Sequence, residues 1–207
     1  MSEFIPQKGY YRKLRVYTIA EIIYDVTFIF VNRFINKGDR TFDQMLQAAR
    51  SGKQNIAEGS VAGSTSKETE IKLTNVAKAS LQELLLDYED YLRVRNLERW
   101  DKNSEKAIQT RRICVKNNES AYYRNAVNVR SSETVANIAI ILIHQADVLL
   151  SRLIERQKKD FISHGGIREQ MTRARVEYRR LQYPAVNQSS PSTQCSQNND
   201  NNSDFSE

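Results

Sequence analysis

The stretch from Arg50 to Leu92 constrains the fold more than any other part of the chain, because it sets two apolar-periodic segments on either side of one short loop. In the second segment Leu73, Val76, Ala77, Leu81, Leu84, Tyr88 and Leu92 recur at three- and four-residue steps, the repeat of a helix that buries one face. In the first, Phe42, Met45, Leu46, Ala49, Gly52 and Ile56 keep the same repeat while the side chains shrink, so that a neighbouring helix can come close. Gly52 costs about 1 kcal/mol relative to alanine inside a helix, which points to a packing reason for its presence. Gly59 is expected to stop the first helix, over about 39–58, and Ser66 to start the second, over about 67–95, with 60–65 as the turn of an antiparallel hairpin.

Two further long helices are expected, from about Tyr11 to Asn36 and from Ser131 or Ser132 to about Phe161. In the turn after the first of them Gly38 is able to take a left-handed conformation, and Asp39 or Thr41 is positioned to cap the helix that follows. Both long helices carry more apolar residues than one stripe requires. Their second faces are expected to be covered by another subunit or by the C-terminal segment. Residues 96–131, between the third and fourth core helices, are too long for a simple connection and should carry structure of their own. Their interleaved Arg111, Arg112, Lys116, Tyr122, Tyr123 and Arg124 fit either a stacking surface for single-stranded nucleic acid or an amphipathic lid over the bundle.

Gly165-Gly166 should end the fourth core helix. A short helix then follows over 167–182, with Ile167, Met171, Ala174, Tyr178 and Leu181 in one stripe and five arginines around the remainder. A helix of that length needs to dock its stripe on the bundle or on a partner. From Pro184 onward the chain is Ser-, Asn- and Gln-rich and reads as a disordered polar tail. With only 7 Gly and 3 Pro in 207 residues, the expected class is all-α. The expected architecture is an antiparallel up-down four-helix bundle over 1–162, with a helical insertion at about 96–131, a suffix helix at 163–183 and the tail at 184–207.

Little in the chain suggests chemistry. Cys114 and Cys195 form no spacing pattern, and no metal, cofactor or catalytic residue is nominated. His144 lies in an apolar stretch and is expected to be a core histidine bonded to a backbone carbonyl. Glu21 and Asp25 are expected to form an exposed acidic strip. The loop 60–65 lacks the Gly-rich pattern ending in Lys and Ser/Thr and does not follow a strand, so it is not read as a phosphate cradle. The most apolar run noted, Ile22 to Val31, is too short to cross a bilayer. A soluble cytoplasmic protein without a membrane partner is expected.

The net charge is +6, and the acidic residues of 184–207 make the body more basic still. A basic body fits either an anionic partner such as RNA or DNA or simply a well-solvated surface. The candidate contacts are Arg50, Lys53, Lys67, Lys72, Arg111, Arg112, Arg173, Arg175, Arg179 and Arg180.

Asn55-Ile56-Ala57-Glu58-Gly59, preceded by Arg50-Ser51 and followed by Ala79-Ser80-Leu81-Gln82-Glu83-Leu84, resembles a bacterial four-helix bundle family. That family includes proteins encoded in the intervening sequences of 23S ribosomal RNA genes, with the accessory variability determinant of diversity-generating retroelements as a relative. Gly165-Gly166-Ile167-Arg168-Glu169-Gln170-Met171 and its Arg-rich continuation resemble a suffix found on a subgroup. The resemblance implies a homopentameric ring without known catalytic activity, whose basic surface contacts nucleic acid or a reverse transcriptase. It also implies that Asn55 and Glu58 bond backbone groups around the hairpin turn and that Gly59 permits the turn, with Ser80 and Glu83 as the downstream part of the motif. The chain departs from the family in two places: Ser60-Val61-Ala62-Gly63 has no arginine where the family loop is usually basic, and the connection 96–131 is longer. Two readings follow, a non-catalytic oligomeric scaffold that binds nucleic acid or a nucleic-acid-processing partner, and a purely structural or protein-interaction module.

Overall fold

The computed structural model describes residues 10–182, and among them every regular element is helical. A 3-10 turn at Tyr11–Lys13 precedes α1 (Arg15–Phe34), α2 (Arg40–Ala62), α3 (Lys67–Val94), α4 (Glu105–Lys116), α5 (Ser120–Asn128), α6 (Ser132–His164) and α7 (Ile167–Gln182). The chain divides into two compact units, Met1–Gln170 and Met171–Glu207. The expected tail at 184–207 and the second cysteine lie outside the described residues.

Side-chain caps set most of the helix starts. Asp39, Ser66, Ser104 and Ser131 each accept a backbone N–H from the first turn of α2, α3, α4 and α6, satisfying a donor that the helix itself leaves open. α6 ends at Gly165, whose φ of 71° suits a residue without a Cβ. Gly38 does not use the left-handed conformation open to it, and its N–H donates to Asn36 Oδ1 at 3.1 Å. The chain turns after α3 on Asn96 instead, at φ 53°. The Asn96 N–H donates to the Arg93 carbonyl and the Leu97 N–H to the Leu92 carbonyl, the paired bonds of a left-handed helix terminus.

α2 does not stop at Gly59 but continues to Ala62. Gly59 is buried in mid-helix, and a Cβ there would lie 3.2 Å from Leu73 Cβ and 3.3 Å from the Glu70 carbonyl oxygen. It is therefore a close-approach residue, as is Gly52, where a Cβ would meet Leu81 Cδ2 at 2.6 Å. Across the same seam Ser51 Oγ lies 3.0 Å from Ser80 Oγ, and Asn55 Nδ2 donates to the Ser51 carbonyl and hydroxyl. Asn55 thus ties its own helix to the α2–α3 contact and does not bond the turn. Glu58 and Glu83 are exposed, and among the described residues neither side chain forms a hydrogen bond or ion pair.

α1, α2, α3 and α6 contact one another cyclically, with α2 and α3 packed most extensively; α4 packs on α6 and α5 on α1. α4 and α5 cover part of the second apolar faces of α6 and α1, burying Ala107, Cys114, Tyr123 and Val127. That cover is not the expected second subunit or C-terminal segment, and it agrees with the amphipathic-lid reading of 96–131. Polar ties hold these two helices and their connections down. Asp25 accepts from Ser120 and pairs with Arg124 at 3.6 Å, so it is half-buried at this joint and not part of an exposed strip with Glu21. Arg33 donates to the Val127 carbonyl and Arg15 to the Val115 carbonyl. Asn137, buried on α6, accepts the Trp100 N–H and donates to the carbonyls of Glu98 and Glu133.

By length and composition one stretch among the described residues, which begins with α6, is apolar enough to cross a membrane, and 56% of its most apolar window is buried inside the protein. The contacts of α6 with α1, α3 and α4 account for that apolarity as core packing. α7 has the expected limits and buries none of its residues.

Candidate functional site

The basic residues singled out in the sequence do not converge. Lys67 and Lys72 lie on the first turns of α3 and are neutralised by Glu70 at 3.0 Å and Glu68 at 2.7 Å. The Lys53 ammonium sits 4.3 Å from the centre of the Tyr24 ring, held by the negative face of the aromatic system. Arg50 and Arg112 are exposed on α2 and α4. Arg173, Arg175, Arg179 and Arg180 are exposed on α7, where five arginines face two glutamates.

The loop between α2 and α3 is no anion cradle, because the Glu70 carboxylate lies directly against Gly63. Glu70 also accepts from Gln157 and Lys67, so the mouth of the loop already holds a negative charge. Among the described residues no group of three or more His, Cys, Asp or Glu side chains is placed to hold a metal. Cys114 is buried beside Tyr123, and burial raises the pKa of both. A thiol held protonated in this way is a poor nucleophile.

One candidate, Arg111, falls in a feature that sequence reasoning missed. Between α4 and α6 lies a cleft of about 900 Å³. Its cationic lining consists of Arg15, Arg99, Lys102, Arg111 and Arg152, against the single carboxylate of Asp101. Arg99 pairs with Glu89 at 2.7 Å. By contrast, Arg15 is held on the Val115 carbonyl at 2.8 Å and Arg111 on the Lys102 carbonyl. A carbonyl orients a guanidinium without neutralising it, and the remaining N–H groups stay available.

The rest of the lining is largely aliphatic, including Ile140, Ile141, Val148 and Leu149. His144 also lines the cleft and is exposed, contrary to the expected core histidine, because it lies on the side of α6 that α4 leaves uncovered. Two polar atoms of the lining residues, Trp100 Nε1 and Gln145 Oε1, are buried without a hydrogen-bond partner. The cleft residues come from α1, the 95–104 connection, α4 and α6, so no local motif joins them. The available signal was the four-residue step Ala107, Arg111, Val115, which puts a cation in mid-stripe on a helix.

A second electrostatic feature lies on α3. Asp87 is half-buried beside Glu83 and Asp90, and its carboxyl is pushed from 3.8 up to about 6, first by desolvation and then by the two like charges. The folded-state value exceeds the unfolded one, so the native state holds the extra proton between them. The contribution of Asp87 to stability is thus fully present below about pH 4 and is lost as the pH rises through about 6. Asp87→Asn is expected to stabilise the protein at about pH 7 and to leave it unchanged at about pH 3.5. Urea titrations at the two pH values check this, and equal effects at both would rule the explanation out.

No family model matches the chain, and no curated protein or solved structure is similar to it at a significant level.

Proposed function

We propose that the protein is a non-catalytic helical scaffold whose basic surface holds nucleic acid or a nucleic-acid-processing partner. In this reading α1, α2, α3 and α6 form an antiparallel up-down four-helix bundle, α4 and α5 are its insertion, and α7 is the suffix helix. The reading includes self-association, with five copies and a partner such as a reverse transcriptase resting on the resemblance to the 23S intervening-sequence proteins. Self-association has less physical support than the apolar composition suggests, because α4 and α5 occupy the second faces of α1 and α6. No enzymatic step and no cofactor is assigned, and a cytoplasmic location belongs to the same reading.

The observation that carries nucleic-acid contact is α7, a 16-residue helix with five arginines, two glutamates and no buried residue. Such a helix can follow a phosphate backbone, since phosphate contacts require charge and reach without base recognition. Binding of labelled single-stranded RNA and duplex DNA, measured at several salt concentrations, tests it. The affinity should fall steeply with salt, and a joint Arg175→Gln, Arg179→Gln, Arg180→Gln variant should reduce the single-strand salt slope by about two. Absence of binding at low salt, or an unchanged slope, would overturn the reading. A protein-interaction module is the second reading, and the aliphatic lining of the α4–α6 cleft favours it.

A further inference from the structure

We infer that the cleft between α4 and α6 docks an acidic amphipathic helix from a partner protein. The inference rests on the protein-interaction reading and gives that partner a chemistry. α4 contributes Ala107, Arg111 and Val115, one turn apart, and α6 contributes Ile141, Val148 and Arg152. A groove between two helices accepts a third whose apolar residues repeat at three- and four-residue steps. From Asn137 to Arg152 the α6 wall is about 22 Å long at 1.5 Å per residue, which suits a helix of about fifteen residues.

Charge selects the occupant. Carboxylates flanking the apolar stripe of the incoming helix would meet Arg15, Arg111 and Arg152, while Asp101 alone would oppose them. The α7 helix of a second copy is excluded on the same ground, since its arginines would bring like charge into the cleft. Nucleic acid fits the lining poorly. Single strands are held on successive aromatic platforms, and here Trp100 and His144 stand among aliphatic side chains.

Trp100 is the sole tryptophan of the chain, so its emission reports on the cleft directly. The probe is a synthetic amphipathic peptide of about fifteen residues with a leucine stripe flanked by glutamates. It is titrated into the full chain beside a scrambled isomer and a version with lysines in place of the glutamates. Saturable change of Trp100 emission is expected with the acidic amphipathic peptide, and binding at least about tenfold weaker with either control. Val148→Glu and Arg111→Glu, both at exposed positions, should each weaken the acidic peptide at least about tenfold without changing the circular dichroism.

No saturable change, or equal binding of the scrambled peptide, would overturn the inference and leave the salt test of α7 unaffected. Displacement of the peptide by a single-stranded oligonucleotide would overturn it too, by making the cleft the nucleic-acid site. An oligonucleotide that binds without displacing the peptide or changing Trp100 would support two separate sites.

Discussion

Gly52→Leu is expected to remove about 4 kcal/mol or more of stability, enough to unfold a domain of ordinary stability at mild temperature. The reason is the α2–α3 seam. A Cβ at position 52 would already lie 2.6 Å from Leu81 Cδ2 and 2.8 Å from Leu81 Cγ, and Leu81 is fully buried. Two opposing effects meet at Gly52→Ala. Helix propensity favours alanine by about 1 kcal/mol. Overpacking against Leu81 costs about 1 to 3 kcal/mol. Because the clash reaches the branch carbon and not just a methyl tip, the net change is expected to be destabilising. The double variant Gly52→Ala, Leu81→Ala should cost less than the sum of the single changes, since each relieves the other. Urea denaturation measures all of these, and a stabilised Gly52→Ala would mean that Leu81 moves aside freely and that the seam is loose.

Phe30→Ala should cost about 3 to 5 kcal/mol. Phe30 is fully buried, with ring centres 4.9 Å from Tyr88, 4.8 Å from Tyr91 and 5.4 Å from Phe34. The cluster joins α1 to α3 across the centre of the core. Its geometry is fixed further by the Tyr88 hydroxyl, which donates to Thr27 Oγ1 at 3.0 Å, while Thr27 donates to the Ile23 carbonyl. The cavity left by alanine therefore has little freedom to collapse. Phe30→Leu keeps most of the volume and should lose less than half as much. A loss below about 1 kcal/mol for alanine would show that the aromatic cluster repacks.

Much of this fold was legible in the sequence where the determinant is local. Asp39, Ser66 and Ser131 announce helix starts because a capping side chain acts within three residues of itself, and Gly165 announces an end for the same kind of reason. Gly59 misled, because a glycine serves equally well at a helix end and at a close helix crossing, and only the partner helix decides between them. Asn96 was overlooked because asparagine takes the left-handed position less often than glycine does. The excess apolar residues of α1 and α6 were visible, and an amphipathic lid was one of two readings of 96–131, but which face it covers was not, since Tyr123 and Val127 reach α1 from about a hundred residues away. The cleft was illegible for that reason too. Arg15, Arg111 and Arg152 meet only because α4 lies along α6.

The position of α4 and α5 over α1 and α6 has a consequence for dilution. A face covered by a neighbouring molecule is only as well protected as the concentration of that molecule allows. A cover on the same chain is held at a fixed, high local concentration by its two short attachments, however few copies the cell contains. The protein has internalised part of what would otherwise be an encounter between molecules, and the portions of these faces beneath α4 and α5 should stay closed in a lone copy as surely as in a crowded one.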